Sequence, residues 1–186
     1  MTGVAGLRWA IVDQGRERRE TADGLLVGLL RELGVAFPRL TRGCPYCGGP
    51  HGPVRALDGP APAPFSVAVA YADGWAVVAA SARGPFAIDA EPRRMDAAAL
   101  HRIRTTLGDA RADAATWTRV EAAVKADGRG LRIDPAEVRL SEVAGGWAAR
   151  IPGRPDPLFV SEAAGPPGIV VSLAAAPGAA SDRSTC

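Results

Sequence analysis

Two short motifs in this sequence carry residue types that could act on a charged ligand. Ile88-Asp89-Ala90-Glu91 closes an apolar run. On a strand, side chains two apart share a face, so Asp89 and Glu91 project together. Two adjacent carboxylates repel unless something positive sits between them, and a hard cation such as Mg²⁺ is the usual answer. The second motif is Trp117-Thr118-Arg119-Val120-Glu121-Ala122-Ala123-Val124-Lys125, which reads as a helix with Glu121 and Lys125 side by side on one face. Lys125 is the only lysine, against 21 arginines. Its survival suggests a site that wants a compact ammonium rather than a planar guanidinium. For either motif alone the bland alternatives stay open: exposed turn chemistry for the acid pair, and a solvated ion pair for Glu121 and Lys125.

The elements that must position these groups can be read from periodicity. Leu7 to Val12 reads as a strand, and Glu17 to Leu33 as a helix with a stripe of Leu25, Leu26, Leu29, Leu30 and Leu33. Gly43 to Pro64 is rich in Gly and Pro and reads as a long loop. Phe65 to Tyr71, Trp75 to Ser81 and Pro85 to Ala90 read as strands. Asp73-Gly74 and Arg83-Gly84-Pro85 are the expected turns of an antiparallel meander. Two helices follow, Met95 to Leu107 and Ala110 to Asp127, the second stopped by Gly128. Strands are expected near Glu137 to Val143, Trp147 to Ile151, Leu158 to Ser161 and Gly168 to Ala174. The class is α+β, in two related halves: an N-terminal lobe over 1–92, a C-terminal lobe over 93–176, and a tail over 177–186 without fixed structure.

Composition narrows the function classes. The chain has 186 residues, 47% of them hydrophobic and 23% charged, an ordinary balance for a folded domain. A formal net charge of +2 argues against a general nucleic-acid binder. No apolar stretch reaches about 18 residues without a charge, so no membrane span is expected. The N-terminus does not read as a signal peptide. Three cysteines make no disulfide framework, and the cytoplasm is the expected compartment. Cys44 and Cys47, with His51 close by, have the spacing of half a zinc site, but no second pair of ligands follows them, and a folded loop is the favoured reading.

Three blocks, in this order, resemble the 4'-phosphopantetheinyl transferase superfamily in its small monomeric form. They are Cys44-Pro45-Tyr46-Cys47-Gly48-Gly49-Pro50-His51-Gly52, Phe86-Ala87-Ile88-Asp89-Ala90-Glu91, and Trp117 to Lys125 with Gly128-Arg129-Gly130-Leu131. The resemblance implies two similar pseudo-twofold lobes, each a small antiparallel sheet on helices, with the site at the lobe interface. It implies transfer of the phosphopantetheine arm of coenzyme A to a serine of an acyl or peptidyl carrier protein. Asp89 and Glu91 from one lobe and Glu121 from the other match the family's Mg²⁺ ligands. Lys125 would reach a phosphate oxygen. Glu121 or a metal-bound water would be the base for the serine. Arg18, Arg19, Arg31 and Arg55 fall where the family often has cations for the nucleotide phosphates.

The sequence also departs from the family pattern. The usual His on the strand after the Pro-rich loop is Val69, and the Lys usual before the metal-binding Glu is Val120. A Gly before the hydrophobic-Asp pair is Ala87, and a basic residue after His51-Gly52 is Pro53. Each lost charge-assisted contact costs about 1.5–3 kcal/mol. Two such losses weaken coenzyme A binding by roughly two to four decades. A divergent member that binds a carrier without turnover, or does different chemistry, is the alternative this pattern suggests.

Overall fold

A computed structural model describes residues 5–12, 17–44, 47–50 and 52–176. The tail over 177–186 and His51 lie outside the described residues. In chain order the elements are β1 (Gly6–Ile11), α1 (Arg18–Glu32), β2 (Pro38–Thr41), β3 (Arg55–Asp58), β4 (Ala61–Pro62), β5 (Ser66–Ala72), β6 (Trp75–Ser81) and β7 (Phe86–Pro92). They continue with α2 (Ala97–Leu107), α3 (Ala114–Asp127), β8 (Arg139–Val143), β9 (Gly146–Arg150), β10 (Leu158–Ala163) and β11 (Ile169–Ala175). The described residues thus form an α+β chain of three helices and three antiparallel sheets. None of the helices is long and apolar enough to cross a membrane.

The chain divides after Pro85 into two compact units. In the first, an antiparallel sheet of order β1-β6-β5 carries α1 on one face. The leucine stripe explains the packing: Leu26, Leu29 and Leu30 are buried against Val67, Val78 and Ala80. Gly6 lets β1 approach the helix, because a Cβ there would stand 2.5 Å from the Leu29 side chain. Asp73 and Gly74, both at positive φ, make the tight turn from β5 to β6.

The stretch expected as loop contains structure. β3 and β4 form a small sheet with β2, in the order β2-β3-β4. These strands have two to four residues and carry Pro38 and Pro62. Such short pieces show no periodicity in sequence, and only the pairing reveals them.

The second unit is a five-stranded antiparallel sheet of order β7-β11-β10-β9-β8 with α3 against it. Val120, Ala123 and Val124 of α3 are buried with Leu158, Val160 and Ala174 of the sheet. Both long helices here have sequence-encoded ends. Asp96 and Asp113 cap the N-termini through Ala99 and Thr116 N–H groups, and Gly108 and Gly128 close the C-termini at positive φ.

Two expectations need correction. β7 does not complete a meander with β5 and β6. β1 occupies the free edge of β6, and β7 pairs with β11 from Phe86 opposite Ala175 to Pro92 opposite Ile169. The boundary therefore falls before Phe86 rather than after Pro92. Arg83-Gly84-Pro85 passes the chain from one sheet to another, a job a turn signal cannot distinguish from a hairpin.

Candidate functional site

The site is built where α3 lies on the β7 edge of the five-stranded sheet. β7 turns Asp89 and Glu91 to the same face, and the register sets Asp89 opposite Ser172 of β11. On α3, Thr118, Glu121 and Lys125 follow at helical spacing and line one stripe. Thr118 and Ser172 share a hydrogen bond of 2.8 Å between hydroxyl oxygens, both side chains fully buried. One stripe position beyond Glu121, Lys125 Nζ donates to Asp89 Oδ1 at 2.5 Å. The Trp117 side chain acts on the Glu91 carboxyl and pulls it down against the burial that raises it.

Electrostatically this is a carboxylate nest with one cation. The Asp89 side chain is only 9% exposed, whereas Lys125 is 45% exposed. Asp89 Oδ2 is buried with no hydrogen-bond partner. Burial pushes the Asp89 carboxyl above its ordinary range, against the pull of Lys125. Glu91 is raised by burial and then by the Asp89 charge. Glu121 is raised for the same two reasons, with Lys125 acting against them. The three acids therefore feel one another, as close like charges must.

All four groups belong to the second unit, because β7 does. The expectation that two acids come from one lobe and Glu121 from the other is corrected accordingly. Among the described residues no three His, Cys, Asp or Glu side chains form a set that could hold a metal ion as they stand. The donor chemistry still suits a hard cation: three carboxylates, one of them with a buried oxygen that nothing satisfies.

The expected arginines separate into two groups. The Arg18 guanidinium lies 5.0 Å from the centre of the Tyr71 ring. Arg19 donates to the Pro50 carbonyl at 2.9 Å. Arg42, which sequence reasoning did not single out, pairs with Asp23 of α1. The charges of Arg42, Asp23, Arg18 and Arg19 all bear on the Tyr71 hydroxyl, which burial pushes up. Arg31 is not part of this cluster: at 1.5 Å rise per residue it sits roughly 20 Å along α1 from Arg18. Arg55 opens β3, opposite Thr41, and is exposed.

Compared with protein-family models and with curated proteins, the chain matches none.

The described residues of the cysteine motif are joined by backbone hydrogen bonds. Cys44 N–H donates to the Gly49 carbonyl and Gly48 N–H to the Cys44 carbonyl, each at 2.8 Å. A Cβ on Gly52 would collide with the Gly43 carbonyl, so that glycine is required for the loop to close. Among the described residues no zinc-ligand set accompanies Cys44 and Cys47. The two aliphatic departures are both packed. Val120 is 3% exposed in the core of the second unit, and Val69 packs against the core of the first.

Residues missed in sequence are the ones that hold others in place. Thr118 and Ser172 carry no signal in the sequence, because a hydroxyl in an apolar run looks like any small residue.

Proposed function

We propose that this protein transfers the 4'-phosphopantetheine arm of coenzyme A to a serine of an acyl or peptidyl carrier protein, with Asp89, Glu91, Glu121 and Lys125 as its reacting centre. The observation that carries the reading is the buried, unpartnered Asp89 Oδ2, set beside two further carboxylates and the chain's single lysine. Asp89, Glu91 and Glu121 would hold Mg²⁺. That ion would neutralise diphosphate charge as the phosphoryl bond breaks.

The chain's own groups account for the remaining steps. Lys125, half exposed, extends its ammonium to a phosphate oxygen as a point charge. Glu121, with its carboxyl raised by burial, is suited to accept the serine proton. The serine oxygen bonds to the phosphorus that carries the pantetheine arm. The bond from that phosphorus to the bridging oxygen breaks, and adenosine 3',5'-bisphosphate leaves with the electron pair. Trp117 acts on Glu91 and favours its charged form, the form that would face a cation. Arg18 and Arg19, with Arg42 nearby, remain the cations for the nucleotide phosphates in this reading. Arg31 is too far along α1 to join them. The reading implies a cytoplasmic monomer built of two related halves.

A second reading has its own observation. Val120 is buried in an apolar core and Val69 packs half-buried against another, and neither side chain offers a polar group to a phosphate. A carrier-binding protein without turnover, or one with altered chemistry, fits that loss. One experiment separates the two: purified protein is incubated with coenzyme A, Mg²⁺ and several apo carrier proteins. The mass gain of the pantetheine arm supports transfer. Its absence from every carrier, with carrier binding retained in calorimetry, supports the second reading.

A further inference from the structure

We propose that Lys125 is a tethered counter-cation of the carboxylate nest, opposing a divalent ion that enters alone and favouring one that arrives with a diphosphate. The inference rests on the metal-binding part of the reading above and adds to it the order in which the site fills. Its basis is a contact. Lys125 Nζ stands 2.5 Å from Asp89 Oδ1, so an oxygen that a divalent ion would use is already engaged by an ammonium. The other oxygen of the same carboxylate, Oδ2, is buried and unpartnered. The nest is thus half satisfied by the chain itself. The side-chain charge of Lys125 also acts on Glu91 and Glu121.

The physical consequence follows from charge and reach. An ion of charge two within about 5 Å of an ammonium is repelled by enough to weaken its binding roughly tenfold, even in a water-like dielectric. Lys125 can relieve that repulsion, because its side chain is 45% exposed and has a flexible stem, whereas Asp89 is fixed in the sheet. A diphosphate gives the ammonium a second anionic partner and so frees Asp89 Oδ1. By linkage, the factor by which the diphosphate raises divalent-ion affinity by drawing Lys125 away is the factor by which the ion raises diphosphate affinity.

The test is calorimetry on the full chain at low ionic strength, with Mg²⁺ alone and with a premixed Mg²⁺–pyrophosphate complex as the two probes. Lys125→Met is expected to bind Mg²⁺ alone about tenfold more tightly than wild type, and to bind the premixed complex more weakly. Lys125→Arg keeps the charge and is expected to bind Mg²⁺ alone no more tightly than wild type. Melting temperatures confirm that each variant is folded. Equal Mg²⁺ affinity in wild type and Lys125→Met overturns the inference and leaves the transferase reading standing. Binding of neither Mg²⁺ alone nor the premixed complex, by wild type or Lys125→Met, overturns the inference and removes the metal from that reading as well.

Discussion

Thr118 Oγ1 and Ser172 Oγ lie 2.8 Å apart, both fully buried, joining α3 to β11 directly opposite Asp89. This bond ties the helix that carries Glu121 and Lys125 to the strand beside the one that carries Asp89 and Glu91. Replacing Thr118 by Val keeps the shape but strands the Ser172 hydroxyl. The expected loss is about 1–3 kcal/mol in chemical denaturation. The double variant Thr118→Val with Ser172→Ala should recover part of that loss. Additive losses would show that the two hydroxyls act independently.

Glu121→Gln removes a carboxylate without changing volume. Transfer to an apo carrier is expected to fall below detection by mass spectrometry, while circular dichroism and melting stay close to wild type. Retained transfer would contradict both the metal role and the base role given to this residue.

The raised carboxyls of Asp89, Glu91 and Glu121 make a pH prediction with a definite sign. A native carboxyl above its unfolded value holds protons that the unfolded chain has already released. Its contribution is therefore full below the ordinary carboxylate range, and it is lost as pH rises through the raised native value. In metal-free buffer, Glu121→Gln should gain stability relative to wild type as pH is raised from about 4 to 7. The measurement is the difference in melting temperature between the two proteins across that window. A difference that does not change with pH would mean that Glu121 titrates normally.

Asp113 gives the opposite sign at the start of α3. Burial pushes its carboxyl up, but the hydrogen bonds from the Thr116 N–H and hydroxyl outweigh it and hold the group below its ordinary range. Its contribution is present above the ordinary carboxylate value and is lost as pH falls through the native one. Asp113→Ala should cost about 1 kcal/mol at neutral pH, read by urea denaturation, and cost less in acid. Asp113→Asn, which keeps a capping oxygen, should retain most of the stability at both pH values.

Much of the fold was legible in the chain because its strongest signals are local. The leucine stripe of α1, the stop at Gly128 and the Asp73-Gly74 turn are each decided by a few neighbouring residues, and the structure forms a helix, a cap and a hairpin there. β2, β3 and β4 were not legible, since strands of two to four residues have no period to read. The candidate site was legible in its parts, as an acid pair on a strand and a Glu with a Lys on a helix.

By itself, then, the sequence determined which residues share a face of β7 and of α3, because those relations depend only on strand and helix geometry. The tertiary structure decided the rest. It placed β7 beside β11 rather than β6, which brought Asp89 and Glu91 into one unit with Glu121 and Lys125. It also gathered Arg18, Arg19 and Arg42 around Tyr71 while leaving Arg31 at the far end of α1. Pairing between residues as distant in the chain as Asp89 and Ser172 is a non-local contact, and no run of neighbouring residues encodes it.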